Sequence, residues 1–307
     1  MERTFKTKIL AVGVAILALI AVRMMLAAGV GAADVSYQLV ADWAQLPATT
    51  QWGVMTGVDV DSNDNVYTFQ REQPSSEVIV FDARGKFLKS WGENEFPGAH
   101  ALRVLHDGHI WITDRKLQQV LKFDLDGKLL MSIGQKGVSG ANDSEDSFNG
   151  VSDVAMAENG NLFVSDGEGS NTRVVKIAPD GKFIKFWGTK GADPGQLNTP
   201  HSIALDSQGR VWVCDRGNKR LQIFDQDGKF VDQMTQFGSA SSIVIKKDIV
   251  YVAATAPENR ITIGTTDGHV LTTIDGLSSP HEIAVDSNGA IYAAETNGKA
   301  VLKYVKK

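Results

Sequence analysis

The chain has 307 residues, 43% apolar and 22% charged, with 30 Gly against 8 Pro and a formal charge of −5. That composition belongs to a globular protein with a sizeable core and excludes disordered and collagen-like chains, and the acidic balance argues against a nucleic-acid partner, which needs a basic face. Cys214 is the single cysteine, so an internal disulfide and a multi-cysteine metal site are both excluded. Binding chemistry falls to histidine, carboxylate and arginine.

The first elements are not part of the fold. Arg3, Lys6 and Lys8 precede an apolar run of 14 residues, Ile9 to Val22, followed by Arg23 and a second apolar stretch rich in small residues. A basic start, an apolar centre and Val30-Gly31-Ala32 read as a signal peptide over residues 1–32, cut after Ala32. The alternative is an uncleaved anchor, with residues 9–33 spanning a bilayer and tethering the body to it. Either reading exports the body, to the periplasm or the cell exterior. Removing residues 1–32 leaves 27 basic and 35 acidic residues, a charge of −8.

A repeat then runs through residues 37–307. Each copy holds a short strand, a Gly/Asn turn, an aromatic-bearing strand, a third strand, an Asp-Gly turn and a fourth strand. The clearest copy is HSIALDSQGRVWVCDRGNKRLQIFDQDGKFVDQM from His201. Tyr67, Trp111, Phe163, Trp212, Tyr251 and Tyr292 mark six copies at intervals of 44, 52, 49, 39 and 41 residues. Runs alternating with period two at this spacing predict four-stranded propeller blades rather than helical repeats. Arg84-Gly85, Asp126-Gly127, Asp180-Gly181, Asp227-Gly228 and Asp267-Gly268 read as hairpin turns without chemistry. The sixth copy ends at Lys307 without an outer strand, and Tyr37 to Trp43 (YQLVADW) supplies the missing one. The expectation is an all-β fold, a single six-bladed propeller closed by pairing its two ends, which removes exposed edges.

Histidines carry the strongest functional pattern. His106, His109 and His269 fall in or beside turns and read as solvated. His100, His201 and His281 each lie 11 residues before the marker aromatic of blades two, four and six. The same phase holds Thr56 in blade one, Ser152 in blade three and, after a one-residue shortening, a position near Ser241 in blade five. Alternate blades of a six-fold ring are about 120° apart, and this phase starts the innermost strand. Three imidazoles then converge on the axis as a three-histidine metal site with a vacant fourth position. A polar lining of the channel is the other use for them. The donor set favours zinc, and softness alone also admits copper, nickel or iron.

A second phase lies four residues beyond the marker and gives Arg71, Arg115, Gly167, Arg216 and Thr296. Three arginines there suit a clamp for a carboxylate or for developing negative charge; salt bridges to Asp114, Asp215 or Glu295 are the alternative. Glu168, in SDGEGSNTR, is the carboxylate best placed to act as general base, unless it is a solvated loop residue.

With these residues in view, TKGADPGQLNTPHSIALDSQGRVWVCDRGNKRLQIFD resembles an NHL repeat. Residues 45–307 resemble the peptidyl-α-hydroxyglycine α-amidating lyases (peptidylamidoglycolate lyases), six-bladed propellers with a catalytic zinc and a structural calcium. The resemblance implies that His100 (PGAHAL), His201 (TPHSIAL) and His281 (SPHEIAV) hold zinc, and that Arg71 and Arg216 are the active-site arginines. It places calcium at the backbone carbonyls of Val58 and Leu102 and the side chain of Glu282, where the family has Asp. Two features depart from the family. Its tyrosine after Asp-Gly in blade three is replaced in Asp166-Gly167-Glu168-Gly169, and its paired cysteines are missing. Arg115 is an additional, substrate-binding candidate. The implied activity is zinc-dependent cleavage of a C–N bond in an α-hydroxyglycine-type small-molecule or peptide substrate bearing a carboxylate, releasing an amide and glyoxylate. Two further readings are a non-catalytic propeller that binds a protein or peptide on its top face, and a metal-dependent hydrolase using the same three histidines.

Overall fold

The computed structural model describes residues 35–48, 50–71 and 75–307. The leader expected over residues 1–32 lies outside the described residues, among which no helix is long and apolar enough to cross a membrane. Ser36–Lys307 form one unit of six four-stranded antiparallel sheets. In five sheets the spatial order of strands follows the chain order, and the innermost strands touch one another around a closed ring. This is the expected six-bladed propeller.

Its sixth sheet contains both ends of the body. Tyr37–Val40 pairs with Ala300–Lys306 in the register Tyr37↔Lys306 to Val40↔Lys303. The strand Tyr37–Val40 thus covers what would be an unpaired edge. Trp43, just beyond it, packs edge-on against Tyr292 at 5.0 Å and fixes the closure with apolar contact as well as hydrogen bonds.

The alternation read from sequence follows from where the core lies. Six apolar clusters fill the spaces between neighbouring blades, so both faces of the middle strands are covered. Tyr67, Trp111, Phe163, Trp212, Tyr251 and Tyr292 are all buried there. A buried phenol or indole needs a polar partner. Asp206 takes the Trp212 Nε1–H at 2.8 Å, and Asp61 and Asp286 receive the hydroxyls of Tyr67 and Tyr292 at 3.3 Å. The hairpin glycines also join blades: a Cβ at Gly127 or Gly228, each with φ above +80°, would lie within 2.6 Å of Trp91 or Trp187.

One irregularity positions the site. Each innermost strand shifts register at the histidine phase, between Met55 and Gly57, Ala99 and Ala101, Val151 and Asp153, Pro200 and Ile203, Ala240 and Ser242, and Pro280 and Glu282. A bulge bends its strand and re-aims the residue it inserts. Thr56, His100, Ser152, His201, Ser241 and His281 are the residues at these shifts.

Candidate metal centre

The three histidines meet on the axis. Their ring centroids form a near-equilateral triangle with sides of 4.8, 4.8 and 4.9 Å, and all three are buried. Each Nδ1 faces a backbone carbonyl of the next blade: His100 at 2.7 Å from Ser152, His201 at 2.6 Å from Ser241 and His281 at 2.7 Å from Thr56. A carbonyl oxygen only accepts, so each Nδ1 carries the hydrogen and each Nε2 presents its lone pair inward. The small residues at the odd-blade phase therefore orient the imidazoles of the even blades. One ligand atom from each histidine lies within 4.8 Å of those of the other two.

This donor set fits a metal ion. The Nε2 atoms of His100 and His201 are buried without a hydrogen-bond partner, a costly state that a cation would relieve. Burial first, then the positive charge of Arg216, holds His201 well below the ordinary imidazole range. Burial, His100 and Arg71 do the same to His281. Both rings stay neutral at neutral pH, as ligation requires. His106, His109 and His269 take no part: His106 Nε2 bonds the Ala157 carbonyl at 3.1 Å, His109 Nδ1 that of Asp107 at 2.8 Å, and His269 is exposed.

Beside the triangle lies Glu168. Its Oε2 is 3.7 Å from His100 Nε2 and its Oε1 is 3.6 Å from His201 Nε2. Arg216 Nη2 meets Oε1 at 2.5 Å and Arg115 Nη1 meets Oε2 at 3.4 Å. The arginines of blades two and four thus converge on the carboxylate of blade three. Asp114, Asp215 and Glu295, the alternative partners considered from sequence, instead accept the backbone N–H groups of Gly98, Asn198 and Ser278. Arg71 ends the strand Val66–Arg71, with its charge close enough to act on His281. Burial pushes the Glu168 carboxyl up, but the Arg216 guanidinium on Oε1, together with any proton carried by His100 or His201, holds the group well below the usual carboxylate range. Glu168 is where its repeat phase places it, yet so firmly ionised a carboxylate is a weak general base.

The calcium expectation fares differently. Val58, Leu102 and Glu282 do come together, but Glu282 Oε2 accepts the N–H groups of Val58 and Leu102 at 3.1 and 3.2 Å. Arg103 Nε stands 3.1 Å from Glu282 Oε1. The same guanidinium grips Asp153 with bonds of 2.9 and 2.6 Å and reaches Ser202 at 3.2 Å. A fixed cation thus stands within this carboxylate cluster and would compete with a calcium ion for it, although Glu282 Oε1 is left without a hydrogen bond. Sequence reasoning missed Arg103 because strict period two puts a residue three after His100 on the opposite face, and the register shift at His100 breaks that count.

Fold and centre together define the class: a six-bladed propeller of the NHL type with a three-histidine axial site. The NHL repeat family model matches residues 197–224. Human NHL repeat-containing protein 3 is 32% identical over 294 residues, covering 88% of this chain and 84% of that protein. This chain belongs to the NHL repeat family with it. A probable peptidyl-alpha-hydroxyglycine alpha-amidating lyase of Caenorhabditis elegans is 27% identical over 246 residues, 74% of this chain and 69% of that one. Among solved structures, a streptogramin B lyase superposes with a TM-score of 0.62 at 15% identity, covering 89% of this chain and 98% of that chain, a likeness of fold alone.

Proposed function

We propose that this chain is an exported, zinc-dependent lyase that cleaves the C–N bond of an α-hydroxyglycine-type substrate bearing a carboxylate. The observation that carries the reading is the triple anchoring of Nδ1 on three buried histidines whose ligand atoms lie within 4.8 Å of one another. Kinship with proteins named as amidating lyases supports it. Export rests on the leader-like residues 1–32.

Bound zinc would supply Lewis acidity, lowering the pKa of a hydroxyl beside it. His100, His201 and His281 would hold the ion, and the carbonyls of the neighbouring blades would keep the rings from turning. Arg71, Arg115 and Arg216 surround the site with positive charge suited to a substrate carboxylate. In the reaction the O–H and C–N bonds break and a C=O bond forms. The proton ends on the departing amide nitrogen, leaving an amide and glyoxylate.

The test is glyoxylate release from an N-acyl-α-hydroxyglycine, with His201→Ala expected to abolish it. Absence of turnover by protein carrying a full complement of zinc would refute the lyase assignment. One observation favours a non-catalytic, ligand-binding propeller instead: Glu168 already engages Arg115 and Arg216.

A further inference from the structure

Glu168 stands where a fourth donor belongs, and we infer that it is one: a built-in ligand of the metal, clamped by Arg115 and Arg216, which a substrate carboxylate must displace. The inference rests on the reading that the three histidines hold a metal ion. Donors about 2.0–2.2 Å from a tetrahedral zinc are about 3.4 Å apart. Glu168 Oε1 is 3.6 Å from His201 Nε2 and its Oε2 is 3.7 Å from His100 Nε2, close to that spacing before any ion draws them in. Both nitrogens are buried and lack a hydrogen bond, so neither is committed elsewhere.

The backbone makes this placement rigid. Gly167 and Glu168 both donate their N–H groups to the Gly150 carbonyl, at 3.0 and 2.8 Å. Gly150 has a φ of +97°, and a Cβ there would meet the Gly169 nitrogen at 1.8 Å, so the loop lies directly on it. Each carboxylate oxygen then serves one histidine and one arginine: Oε1 faces His201 and Arg216, and Oε2 faces His100 and Arg115. A mobile surface glutamate would not divide its oxygens this way. The two arginines are spent on a carboxylate of the chain itself, so an incoming carboxylate gains them only by taking the place of Glu168.

The experiment uses cobalt(II) as a visible probe of coordination in the wild type, Glu168→Gln and Glu168→Ala. The wild type is expected to bind one cobalt. Glu168→Gln, which keeps the volume and loses the charge, should weaken binding about 10- to 100-fold and change the d–d absorption band. In Glu168→Ala, added acetate should restore the wild-type band by filling the vacated place between the arginines. Unchanged affinity and an unchanged band in Glu168→Gln would overturn the inference while leaving the three-histidine site intact. A folded wild type that takes up no cobalt would overturn both. Loss of turnover without these spectral changes would count against Glu168 as a ligand.

Discussion

Arg103 offers the sharpest test of how the channel is held together. Its side chain is 7% exposed, and those of Asp153 and Glu282 are 2% and 3% exposed, which places the cluster among buried ion pairs rather than surface ones. Replacing Arg103 by Met keeps most of the volume but leaves two buried carboxylates without their cation. Breaking a buried pair from one side costs about 3–5 kcal/mol, a large part of the roughly 5–15 kcal/mol that holds a domain folded. For a propeller of this size the melting temperature should fall by roughly 10 °C. Urea unfolding and thermal melting followed by circular dichroism would read both quantities. The same reasoning makes a prediction about calcium. The wild type should melt at the same temperature with calcium or with a chelator, because the guanidinium supplies the charge. Arg103→Ala opens room beside Glu282 and Asp153, and calcium at about 100 times its dissociation constant should then stabilise the variant by about 2.7 kcal/mol. An Arg103→Met variant within about 1 kcal/mol of the wild type, or a wild type that calcium stabilises, would refute the reasoning.

Two further outcomes follow from buried titratable groups. Burial pushes the Asp59 carboxyl up to about 6, against the opposing pull of Arg103 and the N–H groups of Val104 and Val60. A folded-state pKa above the unfolded value means that the folded form takes up the proton first, so this contribution is fully present at low pH and is lost as pH rises through 6. Between about pH 7 and pH 5 the wild type should therefore gain about 1 kcal/mol relative to Asp59→Asn; parallel stability curves for the two proteins would contradict this. Cys214 is wholly buried, and desolvation raises its thiol pKa. It should resist a thiol reagent in the native protein and react fully in urea, and rapid labelling of the folded protein would contradict its placement.

The blade count and the histidine phase were legible in sequence because each rests on a spacing that the fold preserves. A marker aromatic fills the space between blades, and a fixed offset of 11 residues carries one backbone position to the axis. The orphan outer strand was legible for the same reason, since Ala300–Lys306 would otherwise have kept an open edge. What the spacing conveys is the height of a residue within its blade, not its neighbour in the next. The arginine phase was visible, but the crossing of Arg115 and Arg216 onto Glu168 joins three blades and depends on side-chain length and loop shape. The register shifts that aim the histidines are equally silent, because inner strands buried on both faces show little hydrophobic alternation for a one-residue bulge to break. The calcium expectation was carried by resemblance at Glu282, and Arg103, from the inner strand two blades on, competes for that carboxylate.

The account depends above all on three imidazoles presenting their Nε2 atoms to one ion. Metal content measured by mass spectrometry on folded protein, purified without added metal and then offered zinc, tests this directly. The wild type should retain about one equivalent, and His100→Ala, His201→Ala and His281→Ala should each lose it while the propeller stays folded. A folded wild type that retains less than about a tenth of an equivalent, or single histidine variants that bind as well as the wild type, would contradict it.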